Sequence, residues 1–250
     1  MILNRQMCAG VALILVAASA QAEWKGKGEA GVVFASGNTR SNSVNLKLGM
    51  SEEVGAWKHA LEMAALRSTN TDPATGIKST SADRYMAGWQ SDYKINERTF
   101  SFGALRYERD KLSGFDYQAS LSTGLGYKFY DTDKIKLSGQ VGAGYRRLKS
   151  TTVYLPTYTP SETSGNAVFV AGWDYENAIT ATTKIVDKFH AESGSDNTLL
   201  SNFLGVEVKM SDRLALSAGL DVRDNTKPPP SVPAKKKIDT VTTLNLVYAF

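Results

Sequence analysis

Cysteine is almost missing from this chain. The only one, Cys8, stands ahead of a short apolar run near the amino end. A chain that keeps no cysteine beyond that point cannot use disulfides or thiolate-bound metal, and a cysteine placed before the run does not fit a lipoprotein cleavage site. Histidine is nearly as scarce, with His59 and His190 alone. Long apolar runs are absent too. No segment reaches the roughly 18 consecutive apolar residues that mark a spanning helix, which excludes a helical inner-membrane protein. Charge of one sign is also lacking: 29 basic against 25 acidic residues give a formal net charge of +4, too mild for a nucleic-acid partner.

The amino end reads as an export signal. Arg5 supplies the positive region, residues 10–18 (GVALILVAA) the short apolar core, and Ala20-Gln21-Ala22 the small-residue cleavage site. Residues 1–22 are therefore expected to be removed, leaving one domain over 23–250.

Alternation dominates the rest of the chain. Over 116–130, Tyr117, Ala119, Leu121, Thr123, Leu125, Tyr127 and Phe129 form one face, and Gln118, Ser120, Ser122, Gly124, Gly126 and Lys128 the other. Over 134–148, Ile135, Leu137, Val141, Ala143 and Tyr145 oppose Lys136, Ser138, Gln140, Gly142, Gly144 and Arg146. Apolar-out, polar-in alternation over such lengths suits strands between lipid and an aqueous lumen. The same rhythm predicts strands at 24–35, 43–52, 57–67, 83–94, 98–109, 116–130, 134–148, 165–176, 180–191, 199–210, 213–223 and 239–250. Connections after even strands are tight; those after odd strands are longer, notably 68–82, 149–164 and 224–238. Tyr93, Phe100, Phe102, Tyr127, Phe129 and Tyr175 map to one set of strand ends, and Tyr85, Tyr107, Tyr117 and Tyr145 to the other, as interfacial girdles require. The expected fold is an all-β transmembrane antiparallel β-barrel of twelve strands in the bacterial outer membrane, with the amino and carboxyl ends periplasmic. Tyr248 and Phe250, on the alternating last strand, are the expected signal to the barrel-assembly machinery. Outer-membrane lipids are the other expected partner.

The first hairpin carries a more specific pattern. Trp24-Lys-Gly-Lys-Gly-Glu-Ala-Gly31 leads into Ser36-Gly37-Asn38-Thr39 and then Val44, Leu46 and Leu48. This resembles the opening of the family of salt-induced outer membrane proteins, and length, strand rhythm and terminal Phe extend the likeness over the mature chain. The resemblance implies an outer-membrane barrel and no established activity. Gly37 and Asn38 have a structural reading of their own, since both tolerate the positive φ of a tight turn.

Catalysis finds little support. Lipolytic barrels place His and Ser two residues apart on one strand face; His59 is flanked at that spacing by Trp57 and Leu61, His190 by Lys188 and Glu192. Ser193 falls on the wrong face, although cross-strand pairing remains open. No cofactor is expected, and loop carboxylates such as Asp72, Asp83 and Asp110 are the only candidate cation ligands. The lumen is the plausible site. Its predicted lining includes Lys47, Arg84, Asp92, Asp116, Lys136, Arg146, Asp174, Lys184, Lys188, Glu207, Asp221 and Arg223. The excess of basic groups suits a narrow passive channel for small polar or anionic solutes. Cross-lumen pairing of the same residues would instead give a closed structural or stress-related envelope protein. An outer-membrane lipid hydrolase is the minority alternative. The basic, proline-rich segment 227–237 (KPPPSVPAKKK) is read as a stiff, solvated loop.

Overall fold

A computed structural model describes residues 24–35, 40–71, 75–110, 113–151, 160–229 and 236–250. The predicted signal segment, the turn at 36–39 and the middle of the last long loop lie outside the described residues. The chain forms β1 (Lys25–Ala35), β2 (Arg40–Val54), β3 (Trp57–Thr71), β4 (Lys78–Lys94), β5 (Thr99–Asp110) and β6 (Phe115–Asp131). It continues as β7 (Ile135–Ser150), β8 (Thr163–Ala178), β9 (Thr183–Gly194), β10 (Thr198–Lys209), β11 (Leu214–Asn225) and β12 (Ile238–Ala249). Each strand pairs antiparallel with its chain neighbours and β12 returns to β1, closing a twelve-stranded barrel.

Alternation fixes which face meets what. Leu121 and Leu244 are 59% and 61% exposed, while Ser122 and Asn245 beside them are buried. Leu125, Val141, Leu216, Leu220 and Leu246 share the exposed outer face. An apolar band of this extent has no stable place in water; it matches the outward band of a membrane barrel, whose interior is polar. Tyr93, Tyr127, Phe129 and Tyr248 ring one end of this outer face, and Tyr85, Tyr107 and Tyr145 the other. Phe100 and Phe102 correct the girdle expectation. They share the inward phase of β5, and Phe102 is buried in the lumen. A Cβ at Gly124 would stand 2.8 Å from the Phe102 ring, so the missing side chain there makes room for it.

The two ends of the barrel differ. At the end that carries both termini, the connections are short turns such as Gly55-Ala56, where Gly55 at φ +60° suits a two-residue hairpin. The opposite, loop end holds the longer connections, although β9 and β10 are joined by residues 195–197 alone. Strands also run further toward the loop end than the apolar alternation predicts. β3 reaches Thr71 and β4 starts at Lys78, because Ser, Thr and Asn continue the ladder where no lipid-facing residue is needed.

Candidate functional site: the barrel lumen

Inward side chains from twelve strands cannot all meet at the axis, so the lumen holds space where they are solvated and none where they pair. At the terminal end it is a cavity of about 1290 Å³, whose mouth is bordered by turn residues including Ala56, Glu97, Thr180 and Asp212. Ten of the twelve predicted lining residues border it: Lys47, Arg84, Asp92, Lys136, Asp174, Lys184, Lys188, Glu207, Asp221 and Arg223. Around its wall Lys188 Nζ lies 2.8 Å from Glu62 and 3.8 Å from Asp174. Lys184 is 3.3 Å from Glu207, which also meets Lys27 at 3.3 Å. Lys47 rests its ammonium 3.9 Å above the Phe203 ring, a cation–π contact.

The cavity ends, among the described residues, at a layer of arginines. Arg84 meets Asp221 fork to fork, at 3.4 and 3.2 Å. Glu108 accepts from Arg106 at 2.6 Å and also from Arg223. Next to this layer, Arg146 donates to Asp196 at 2.7 Å and to the carbonyls of Glu192 (3.2 Å) and Asn197. The Glu192 carboxylate receives Ser120 Oγ at 2.8 Å and faces His190 Nε2 at 3.0 Å. The Arg146 side chain has no exposed surface, and that of Glu192 is 4% exposed. Phe115, Leu148, Val168 and Leu199 fill the same end of the lumen and are buried. The cavity is thus a cup, open at the terminal end and packed shut toward the loops.

Two predicted lining residues stand elsewhere. Arg146 is sealed inside the packed layer, with Glu192 and Asp196 as its partners. Asp116 does not border the cavity: a bulge between Phe115 and Tyr117 in the β6–β7 ladder shifts the phase, turns Phe115 inward, and leaves Asp116 3.9 Å from Lys149. Arg106 and Glu108 are the site residues that the sequence did not single out, and Glu192 stands out there only as a neighbour of His190 and a loop carboxylate, not as a partner of Arg146. In β5 the inward phase begins Phe100, Phe102, so its polarity shows only at Arg106 and Glu108; the ladder to β4 and β6 would have been needed to choose it. Asp196 sits in the turn after β9. Burial works to raise its pKa, but the hydrogen bond from Arg146, then that from Asn166, the Arg146 charge and the Asn197 amide together prevail and hold the carboxyl below its ordinary value.

A histidine–serine pair does form across strands. His59 Nδ1 lies 2.8 Å from Ser91 Oγ, which also accepts from Trp89 Nε1 at 2.9 Å. Both residues lie on the outer face near the terminal end, with the imidazole between the rings of Trp57 and Trp89. The amides around the pair belong to the β3–β4 ladder and are not free to form an oxyanion hole. The pair satisfies polar groups within an aromatic girdle.

Comparison with known proteins agrees with this fold. The profile of a family described as "Protein of unknown function, DUF481" matches residues 28–250. The "Uncharacterized protein YdiY" of Escherichia coli (strain K12) is 25% identical over 234 residues, covering 93% of this chain and 85% of that one. Among solved structures, the translocator domain of the autotransporter NalP from Neisseria meningitidis aligns with a TM-score of 0.50 and 13% identity, over 91% of this chain and 86% of that one. The NanC porin does so with a TM-score of 0.50 and 9% identity, over 90% and 98%. The fold is that of the bacterial outer-membrane barrels.

Proposed function

From this chain's membership of the DUF481 family, whose description names no activity, we propose a non-enzymatic outer-membrane barrel that is closed along its axis at rest. Export would remove residues 1–22, both ends would lie in the periplasm, and the cup would open there. Phe250 supports a role for the last strand in assembly: its amide and carbonyl pair with Gly26 at 3.0 and 2.9 Å, where the barrel closes, and its ring stacks on Tyr248. Tyr248 and Phe250 are then what the assembly machinery would grip, and membrane lipid is the partner of the outer face.

One observation carries the closed reading. The loop end of the lumen is filled by guanidinium–carboxylate clusters, with Arg146, Glu108, Glu192 and Arg223 all under 5% exposed. Buried ion pairs are costly to separate, so solute cannot pass without breaking several together. A second reading, a gated passage for small anions, draws on the basic groups that outnumber acidic ones along the cup wall. Reconstitution in a planar bilayer under a salt gradient separates the two. The closed barrel gives no steady conductance; a steady current with an anion-selective reversal potential would overturn it.

A further inference from the structure

Charge is unevenly spread over the outer face at the loop end. On β5 the outward phase climbs from Leu105 through Tyr107 to Arg109, and on β7 from Val141 through Tyr145 to Arg147 and Lys149. Apolar residue, tyrosine and base follow the order of hydrocarbon, interface and charged membrane surface. The outward phase of β8 to β12 carries no base at this end, where Thr163, Ser193, Thr198, Asp224 and Ile238 stand instead. Arg109 and Arg147 are exposed, and neither forms an ion pair among the described residues.

The ladder gathers these bases into one patch. Glu108↔Gln118 and Asp110↔Phe115 leave Arg109 opposite the β6 bulge at Asp116 and Tyr117, and Tyr117 pairs on its other side with Lys149. Arg109 and Lys149 thus stand two strand spacings apart, about 10 Å, with Tyr117 between them and the Tyr107 ring stacked on it at 6.1 Å. Arg147 pairs with Gly165, and the Tyr145 hydroxyl lies where a side chain at Gly165 would stand. A phenol donor is therefore level with the guanidinium. Asp116 is 3.9 Å from Lys149, with both side chains 39% exposed, and a pair so open is worth little. Bases gathered at a membrane surface without matching carboxylates attract an anion from outside the protein. We propose that the β5–β7 sector of the loop end binds the phosphates of a phosphorylated glycolipid in the outer leaflet. The site rests on the reading that both termini lie in the periplasm, which puts the loop end in that leaflet. Planar guanidinium donors take phosphate oxygens two at a time. A separation of about 10 Å between bases exceeds one phosphate and suits a head carrying two across its sugars. Leu105 and Val141, 56% and 54% exposed beneath the bases, would meet the acyl chains.

Lipid titration of the purified barrel in neutral detergent tests this, with bound lipid counted by native mass spectrometry. The probes are diphosphoryl lipid A, the same lipid stripped of both phosphates, and phosphatidylglycerol. Wild type is expected to hold the diphosphoryl form best. Arg109→Gln with Arg147→Gln should weaken that binding at least about tenfold. Lys78→Gln with Lys237→Gln removes the same charge from other sectors of the loop end, where both lysines are exposed, and should leave binding unchanged. Equal losses in the two double variants would reduce the effect to net charge and overturn the site. So would equal binding of the phosphate-free lipid, while equal binding of phosphatidylglycerol would overturn the glycolipid assignment. Lys149→Gln repeats the measurement should the arginine variant fold poorly. Orientation is judged apart, by labelling Glu162→Cys on intact cells with an impermeant maleimide. Absence of labelling in folded protein would overturn the outer-leaflet source whatever the titration gives, and bilayer conductance judges the closed lumen independently.

Discussion

The two halves of the lumen use different cations. Toward the termini, where the cup is wet, the inward bases are mostly lysines: Lys27, Lys47, Lys136, Lys184 and Lys188. Toward the loops, where side chains pack shut, they are arginines: Arg84, Arg106, Arg146 and Arg223. The division follows from hydration. An ammonium is a compact, strongly hydrated charge that does well where water remains, whereas a guanidinium is weakly hydrated and offers several donors in a plane. Arg146 spends its donors on one carboxylate and two backbone carbonyls without any exposed surface. Lys188 keeps 42% of its side-chain surface while it meets Glu62 and Asp174. Similar pairs of opposite charge are structural cement in one half and solvated wall in the other.

If that division is right, breaking one buried carboxylate should produce the largest effect. Glu108→Ala strands both Arg106 and Arg223 and should cost about 3–5 kcal/mol in a folding titration, the range for an orphaned buried charge. A cost near that of an exposed pair would mean that water already reaches the packed layer. Somewhat smaller is the penalty on the outer face, where Leu121→Arg should cost roughly 2–4 kcal/mol while Ser138→Arg, facing the open cup, should change stability little. Equal costs would place the inside–outside register in error.

Legibility divided along the same line. Twelve strands, their order and the outer face were readable, because a period of two held over ten or more residues is a strong signal wherever one face meets lipid. Phase alone pointed to ten residues that border the cup, but not to Arg106 or Glu108, which border it as well. The packed layer was not. Arg146 lies in the same phase as Lys136, and nothing local distinguishes a solvated base from one enclosed by Glu192 and Asp196, which are some fifty residues away along the chain. Asp116 escaped for another reason: a single bulge reverses the phase beyond it, and neither Phe115 nor Tyr117 announces an extra residue.

In the open half, truncating a pair should matter far less. Lys188→Met removes the partner of Glu62 and Asp174, whose side chains remain 53% and 63% exposed. The loss should be at most about 1 kcal/mol and should shrink in high salt, as for surface pairs. A loss matching that of Glu108→Ala would erase the distinction between the halves.

The smallest effect sharpens the boundary itself. Asp196 lies in the turn at the loop end and holds Arg146 from outside the strands. Its pKa in the folded protein is below the ordinary 3.8, so folding favours the ionised form. The stability this supplies is fully present above the unfolded value and is lost as pH falls through the folded one. Wild type should therefore lose stability more steeply than Asp196→Asn when acidified below about 3.8, and the two should run parallel above that range. In an Arg146→Met background the difference in slope should shrink, because the guanidinium supplies the largest of the contacts that hold the carboxyl ionised, while Asn166 and the Asn197 amide remain. Urea titrations of the four proteins across that window measure it. A slope difference undiminished by the loss of Arg146 would assign the shift to the remaining contacts from Asn166 and the Asn197 amide, and the packed layer would then end at Arg146.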